Sequence, residues 1–203
     1  MKYFKYYLIT IGIIFLDQIT KLLVHFNMKM GIEGQIKLIG NWLKLHYITN
    51  PGMAFGIQIN SGGGKLFLTL FRLVAMIVIA IYLYRLAKKG NTHSGVLWCM
   101  ALILGGAVGN VVDSIFYGKF LGNAPLDSAT PWFHGQVIDM IYVDVWEGML
   151  PKWIPFIGGE YYSFWPIFNI ADSSIFVGVA ILLLFQRKFF KKNQLANEQN
   201  KSR

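Results

Sequence analysis

Four stretches of this chain, about residues 6–24, 66–84, 95–117 and 164–185, are apolar and long enough to cross a lipid bilayer. No other feature narrows the choice of folds so far. In hydrocarbon every backbone N–H and C=O must find its partner within the protein, and runs of about 20 apolar residues do so as helices. Composition agrees, with 55% hydrophobic, 16% aromatic and only 14% charged residues among 203. The expected fold class is an α-helical integral membrane protein with four transmembrane helices. It forms one domain over residues 1–203, with outer connections at 25–65 and 118–163 and a tail at 186–203.

Charge sets the expected orientation. Lys2 and Lys5 precede the first run, Arg85, Lys88 and Lys89 follow the second, and Arg187, Lys188, Lys191, Lys192, Lys201 and Arg203 follow the fourth. The positive-inside rule puts all three regions, and so both termini, in the cytoplasm. Much of the net charge of +9 belongs to the tail, which reads as an anchor on anionic lipid; no nucleic-acid-reading motif accompanies it. The N-terminus has the basic head and apolar middle of a secretory signal but no small-residue cleavage site, and Asp17, Gln18 and Lys21 follow instead. It reads as a retained first span. Cys99 is the only cysteine, which excludes an internal disulfide and a cysteine metal cluster.

In the first outer connection Ile36, Leu38, Leu43, Leu45 and Tyr47 alternate with Lys37, Lys44 and His46. Period two predicts short strands, a small extracytoplasmic β-sheet cradle at the membrane surface. Asn50-Pro51-Gly52 is a turn signal, and Ser61, Gly62, Gly63 and Gly64 read as a flexible lead-in to the second span. In the second connection Trp132, Phe133, Trp146, Trp153, Tyr161, Tyr162 and Trp165 read as an interfacial belt.

Polar residues inside the spans carry the functional signal. Asn169 and Asp172, three apart near the start of the fourth run, repeat the spacing of Asn110 and Asp113 at the end of the third, and on helices each pair would share a face. A carboxylate within a span costs at least ~2.5 kcal/mol on insertion scales. With the termini inside, Asp17, Lys21, Arg72, Asn110, Asp113, Asn169 and Asp172 all fall in the outer part of the bilayer. Asp17 and Lys21, four apart, form either a self-neutralising pair or part of a site. Gly105 and Gly109 would let the third helix approach a neighbour closely.

Carboxylates crowded in a low-dielectric site share a proton, a state suited to peptide hydrolysis. Spacing alone pairs Asp113 with Asp172. Competing chemistries lack their residues. His25, His46, His93 and His134 are scattered without H-E-x-x-H, no histidine sits at the depth of Ser173 and Ser174, and no phosphate-loop lysine motif occurs. No metal or cofactor is expected. From another class, a small proton- or cation-conducting transporter would use the same acids, but it should also have polar groups at inner depth, where this chain has none.

Taken in order, D-Q-I-T-K (Asp17, Lys21), N-P-G-M-A-F (Asn50, Gly52, Ala54, Phe55), G-G-A-V-G-N-V-V-D (Gly105 to Asp113), G-Q-V-I-D-M-I (Gly135 to Ile141) and F-N-I-A-D-S (Phe168 to Ser173) resemble bacterial lipoprotein signal peptidase, signal peptidase II. The resemblance spans nearly the whole chain. It implies a four-span aspartic endopeptidase of the bacterial inner membrane, with its active site at the outer leaflet. Such an enzyme cuts diacylglyceryl-modified prolipoproteins before the lipidated cysteine and acts as a monomer among membrane lipids. It makes Asp139 and Asp172 the catalytic acids, which turns Asp113 into a supporting residue beside Asp17, Lys21, Asn50, Gly52, Asn110 and Asn169. The sequence departs from the family pattern in two places. Ser114 stands where most members carry Arg, with Arg72 a candidate substitute, and residues 118–135 are longer than the usual link, which suggests a lid or cleft edge.

Overall fold

The computed structural model describes residues 3–52, 62–154, 158–159, 161–163 and 166–189. Lys2, Ala54, Phe55, Ser61, Trp165 and the basic residues from Lys191 onward lie outside them. The elements in order are α1 (Phe4–Asn27), β1 (Ile36–Ile39), β2 (Leu43–Asn50), α2 (Gly62–Lys89), α3 (Ser94–Val112), a π turn (Asp113–Tyr117), α4 (Gly118–Phe120), β3 (Val137–Val143), β4 (Glu147–Met149), β5 (Tyr161–Ser163) and α5 (Ile170–Leu184).

Three helical stretches, Phe4–Asn27, Gly63–Lys89 and Ser94–Phe120, are long and apolar enough to cross a membrane, and they coincide with the first three apolar runs. Their outer faces carry Phe4, Leu8, Ile11 and Phe15 on α1 and Phe67, Phe71, Val74 and Val78 on α2, all exposed. Such a surface would be a liability in water and costs nothing against lipid tails. Glycines 62 to 64 belong to α2, so the expected flexible lead-in is helical from its second residue. The intrinsic cost of about 0.5–1 kcal/mol per glycine is outweighed by extension of a long apolar helix.

The fourth run folds differently from expectation. Its helix begins at Ile170, not 164, and spans 15 residues, about 22 Å at 1.5 Å per residue. Phe168 instead joins the edge of β3: its N–H donates to Ile141 O at 3.0 Å, and its carbonyl accepts from Met140 and Ile141. Pro166 cannot donate to a helix ladder, and Asn169, with extended φ and ψ, caps the helix by accepting from Asp172 N. Asn169 and Asp172 therefore do not share a helix face as their spacing suggested. They are cap and third residue of one helix, whereas Asn110 lies inside α3 and Asp113 opens the π turn.

Helix α3 is the hub. Near the basic end of α2, Tyr6, Leu83, Ala87, Leu97, Ala101 and Leu104 form a core between α1, α2 and α3. Towards the other end glycines bring backbones together. A Cβ on Gly105 would lie 2.8 Å from Ile13 of α1, one on Gly106 2.2 Å from Ala171 O of α5, and one on Gly109 2.6 Å from Asp17 Oδ2. The two glycines read as one seam therefore serve two partners, α1 at Gly105 and both α1 and α5 at Gly109.

The predicted cradle is an antiparallel sheet of order β1-β2-β3. Its third strand comes from the other connection, 87 residues beyond the end of β2 by position 137 against 50. A bulge between Leu45 and Ile48 shifts the pairing with β3. Tyr47, Ile138 and Met140 of the sheet pack with Val24 and Tyr117 against the helix ends. Residues 121–136 are tied down at their base rather than loose: Phe133 N and Gly135 N donate to Ile115 O and Ser114 O, and Asn123 and Gln136 exchange two hydrogen bonds. Trp132, Trp146 and Trp153 are exposed, as a membrane-surface belt requires.

Candidate active site

Strand β3 carries Asp139 to the centre of the sheet's inner side, where it is 1% exposed between buried Ile138 and Met140. Its pairing with Ile48 of β2 puts Asn50, two residues further on, beside it. Asn50 Nδ2 donates to Asp139 Oδ2 at 3.1 Å, and Asn169 Nδ2 donates to Asp139 Oδ1 at 2.6 Å. The turn that aims Asn50 depends on Gly52, whose φ of +106° suits glycine and whose N–H donates to Asn50 Oδ1 at 2.8 Å. A Cβ there would also strike Leu68 of α2 at 2.1 Å.

Asp172 reaches the same place from the first turn of α5, half-buried where Asp139 is closed off. Its Oδ1 accepts from Asn110 Nδ2 at 2.7 Å, and its backbone N–H donates to Asn169 Oδ1 at 2.8 Å. One asparagine side chain, Asn169, thus holds the Asp139 carboxyl by its amide nitrogen and the backbone N–H of Asp172 by its oxygen. Burial, reinforced by the negative charge of Asp172, raises the pKa of Asp139 to about 7, against the opposing pull of its two asparagine donors. One carboxyl beside the other therefore holds its proton near neutrality, the asymmetry that acid–base chemistry at a carbonyl requires.

Beneath the pair lies an ionic layer. Lys21 is fully buried and bridges Asp17 and Asp113, each at 2.7 Å. Its third donor goes to Asn110 Oδ1 at 3.1 Å, which fixes the flip of that amide so that its nitrogen faces Asp172. Asp17 accepts from Ala171 N at 2.9 Å, tying α1 to the start of α5, and Asp113 accepts from Ile138 N at 3.3 Å, next to Asp139. The Asp17–Lys21 pair is therefore not closed on itself but extends to Asp113 and Asn110. Asp113, which spacing alone coupled to Asp172, is committed to Lys21. Nine residues named from the sequence converge here: Asp17, Lys21, Asn50, Gly52, Asn110, Asp113, Asp139, Asn169 and Asp172.

Sequence reasoning missed Gln18 and Tyr117. Gln18 Nε2 donates to Asp113 Oδ1 at 2.9 Å, and its Oε1 accepts from the Tyr117 hydroxyl at 2.9 Å. The available signal was a glutamine in a span directly beside Asp17. The π turn also escaped notice. It opens at Asp113, where Ser114 Oγ donates back to Asn110 O at 2.9 Å, a local competition that favours such irregularity. Arg72 Nη1 donates to Ser114 Oγ at 3.3 Å, so α2 places its arginine against the very residue that departs from the family pattern.

The sequence model of the family described as Signal peptidase (SPase) II matches residues 9–188. A lipoprotein signal peptidase of Amoebophilus asiaticus is 51% identical over 186 residues, covering 92% of this chain and 79% of that protein. One of Porphyromonas gingivalis is 41% identical, covering 83% and 76%. A solved structure described as a bacterial membrane enzyme superposes with a TM-score of 0.61 at 25% identity, over 93% of this chain and 90% of that one. A second such structure gives 0.59 at 26% identity. Its architecture and its matches together make this chain a member of the signal peptidase II family of bacterial membrane peptidases.

Proposed function

We propose that this protein is an aspartic endopeptidase that removes signal peptides from diacylglyceryl-modified prolipoproteins, with Asp139 and Asp172 as its acids. The observation that carries the reading is the double grip of Asn169, which donates to Asp139 and caps the residue whose side chain is Asp172. Asp139, closed off and with its pKa near neutrality, keeps the shared proton, and half-buried Asp172 acts as the base. Asp172 takes a proton from water, the water oxygen adds to the scissile carbonyl carbon, and Asp139 gives its proton to the carbonyl oxygen. The tetrahedral intermediate then collapses. The C–N bond breaks, a proton passes to the leaving nitrogen, and the products are a signal peptide ending in a carboxylate and a lipoprotein beginning with an amine. Asp17, Lys21, Asn50, Gly52, Asn110, Asp113 and Asn169 orient the pair, and no metal or cofactor takes part.

The same reading takes residues 1–203 as one domain that crosses the membrane four times. α5 completes the fourth crossing with the neighbouring residues of its apolar run, both ends face the cytoplasm and the site lies at the outer leaflet. Lys88 and Lys89 in the last turn of α2 support that orientation, at the end of the molecule remote from Asp172. The shared name of the relatives gives the transport alternative no support. The test is cleavage of a lipidated precursor and its unlipidated twin by the purified protein. We expect the lipidated form to be cut, and Asp139→Asn and Asp172→Asn each to lower turnover by at least about 10³ with the fold intact, as loss of a general acid or base does. Near-normal turnover by both variants would refute the assignment.

A further inference from the structure

Helix α2 presents two cations to the site that none of the steps above uses. Lys65 and Arg72 are seven apart, two helical turns, so they share a face with Leu68 and Thr69. That face meets the Asn50–Gly52 turn, because a Cβ on Gly52 would lie 2.1 Å from Leu68 and 3.8 Å from Arg72 Nη2. Lys65 is 5% exposed, yet its Nζ has no hydrogen-bond partner among the described residues. Arg72 spends one N–H on Ser114 Oγ. Both feel Asp113, and Arg72 also feels Asp172 and Asp139, but among the described residues no carboxylate lies within 4.0 Å of either. Asp113, the one carboxylate that both cations feel, is committed to Lys21.

A buried lysine and a half-buried arginine that repel each other, with no carboxylate within 4.0 Å among the described residues, are costly to hold, unless an anion is delivered in the working cycle. The proposed hydrolysis delivers one. Each turnover creates a carboxylate at the end of the released signal peptide, beside the acids whose charge Arg72 feels. Resting on that reading, we infer that Lys65 and Arg72 form a carboxylate site for the cleaved end of the signal peptide. Here Arg72 is held by Ser114 and Lys65 stands two turns nearer the start of α2 on the same face. The pair draws the new carboxylate away from Asp139 and Asp172, whose negative charge would otherwise repel it. A phospholipid phosphate is the competing oxyanion, but it carries its charge in the headgroup layer, whereas Lys65 is closed off.

The experiment measures inhibition of the full-length protein in phosphatidylcholine nanodiscs by a synthetic signal peptide ending at the cleavage position, as free acid and as amide. The free acid should inhibit about tenfold more strongly, the worth of a charge-assisted hydrogen bond. The preference should vanish in Lys65→Met and in Arg72→Gln, and Lys65→Arg, which keeps the charged donor, should restore it. Equal inhibition by both peptides, or a preference that survives both substitutions, overturns the inference. So does equal inhibition by both peptides combined with a dependence on added phosphatidylglycerol that is lost in the two variants, which assigns the cations to lipid phosphate. Cleavage of the lipidated precursor is scored on the same preparation. A protein that cuts but shows no preference refutes only the carboxylate site, and one that does not cut refutes the peptidase reading.

Discussion

At the scale of single residues the chain uses asparagines to do what charges could not. Two carboxylates in a low-dielectric site repel each other, and a lysine placed directly between them would hold both ionised. Here Lys21 is kept one layer away and acts through Asn110, which accepts from it and donates to Asp172. Asn169 completes the arrangement as a neutral bridge. The consequence is a pH profile. Asp139 holds its proton up to about 7; activity should therefore fall as pH rises through that value, because the pair loses its only proton. It should fall again on the acid side as the second carboxyl takes one up. Initial rates on a lipidated precursor across the pH range check this, and a profile without an alkaline limb contradicts it. Asn110, Asn169 and Asp172 were legible in the sequence as polar residues in apolar runs, whereas Asn50 read as a turn and Asp139 entered through the family resemblance. Spacing along the chain could not find Asp139 and coupled Asp113 to Asp172, because Asp139 comes on a strand from another part of the chain.

At the scale of elements, three apolar helices were legible by length and hydropathy alone, and the strands of the cradle by their alternation. What pattern could not show was where a helix must stop. The apolar run from 164 onward satisfies any hydropathy criterion, but Phe168 pairs with β3 and Asn169 caps α5. That boundary puts the first turn of α5, and with it Asp172, against α3. Gly106 sets the spacing: a Cβ there would lie 2.2 Å from Ala171 O and 2.5 Å from Ser174 Oγ. Gly106→Ala should force α5 away from α3, lower stability by about 1–3 kcal/mol and weaken the Asn110–Asp172 bond, so turnover falls as well. Gly12→Ala, inside α1 with nothing within 4 Å of its Cβ, should leave turnover unchanged and raise stability by up to about 1 kcal/mol. Thermal unfolding in detergent and cleavage rates of the two variants provide the comparison.

At the scale of the whole molecule the ionic layer around Lys21 joins α1, the end of α3, β3 and the start of α5, the elements that bear the site. Replacing Lys21 with Met should leave Asp17 and Asp113 buried and unpaired, at a cost of about 3–5 kcal/mol. Adding Asp113→Asn should recover part of it, as neighbours in one network do not act additively. Unfolding of the single and double variants measures the coupling; a Lys21→Met protein as stable as the parent would dismiss the layer as a structural keystone. Read by itself, the sequence determined that the chain is apolar enough to live in a membrane and to which family its motifs belong. These follow from hydropathy, charge and local residue order. Which asparagine reaches which acid, Asn50 and Asn169 to Asp139 and Asn110 to Asp172, was decided by the tertiary structure alone. Those contacts join residues tens of positions apart, and only the packing of α3 against its neighbours and of β2 against β3 brings them within hydrogen-bond reach.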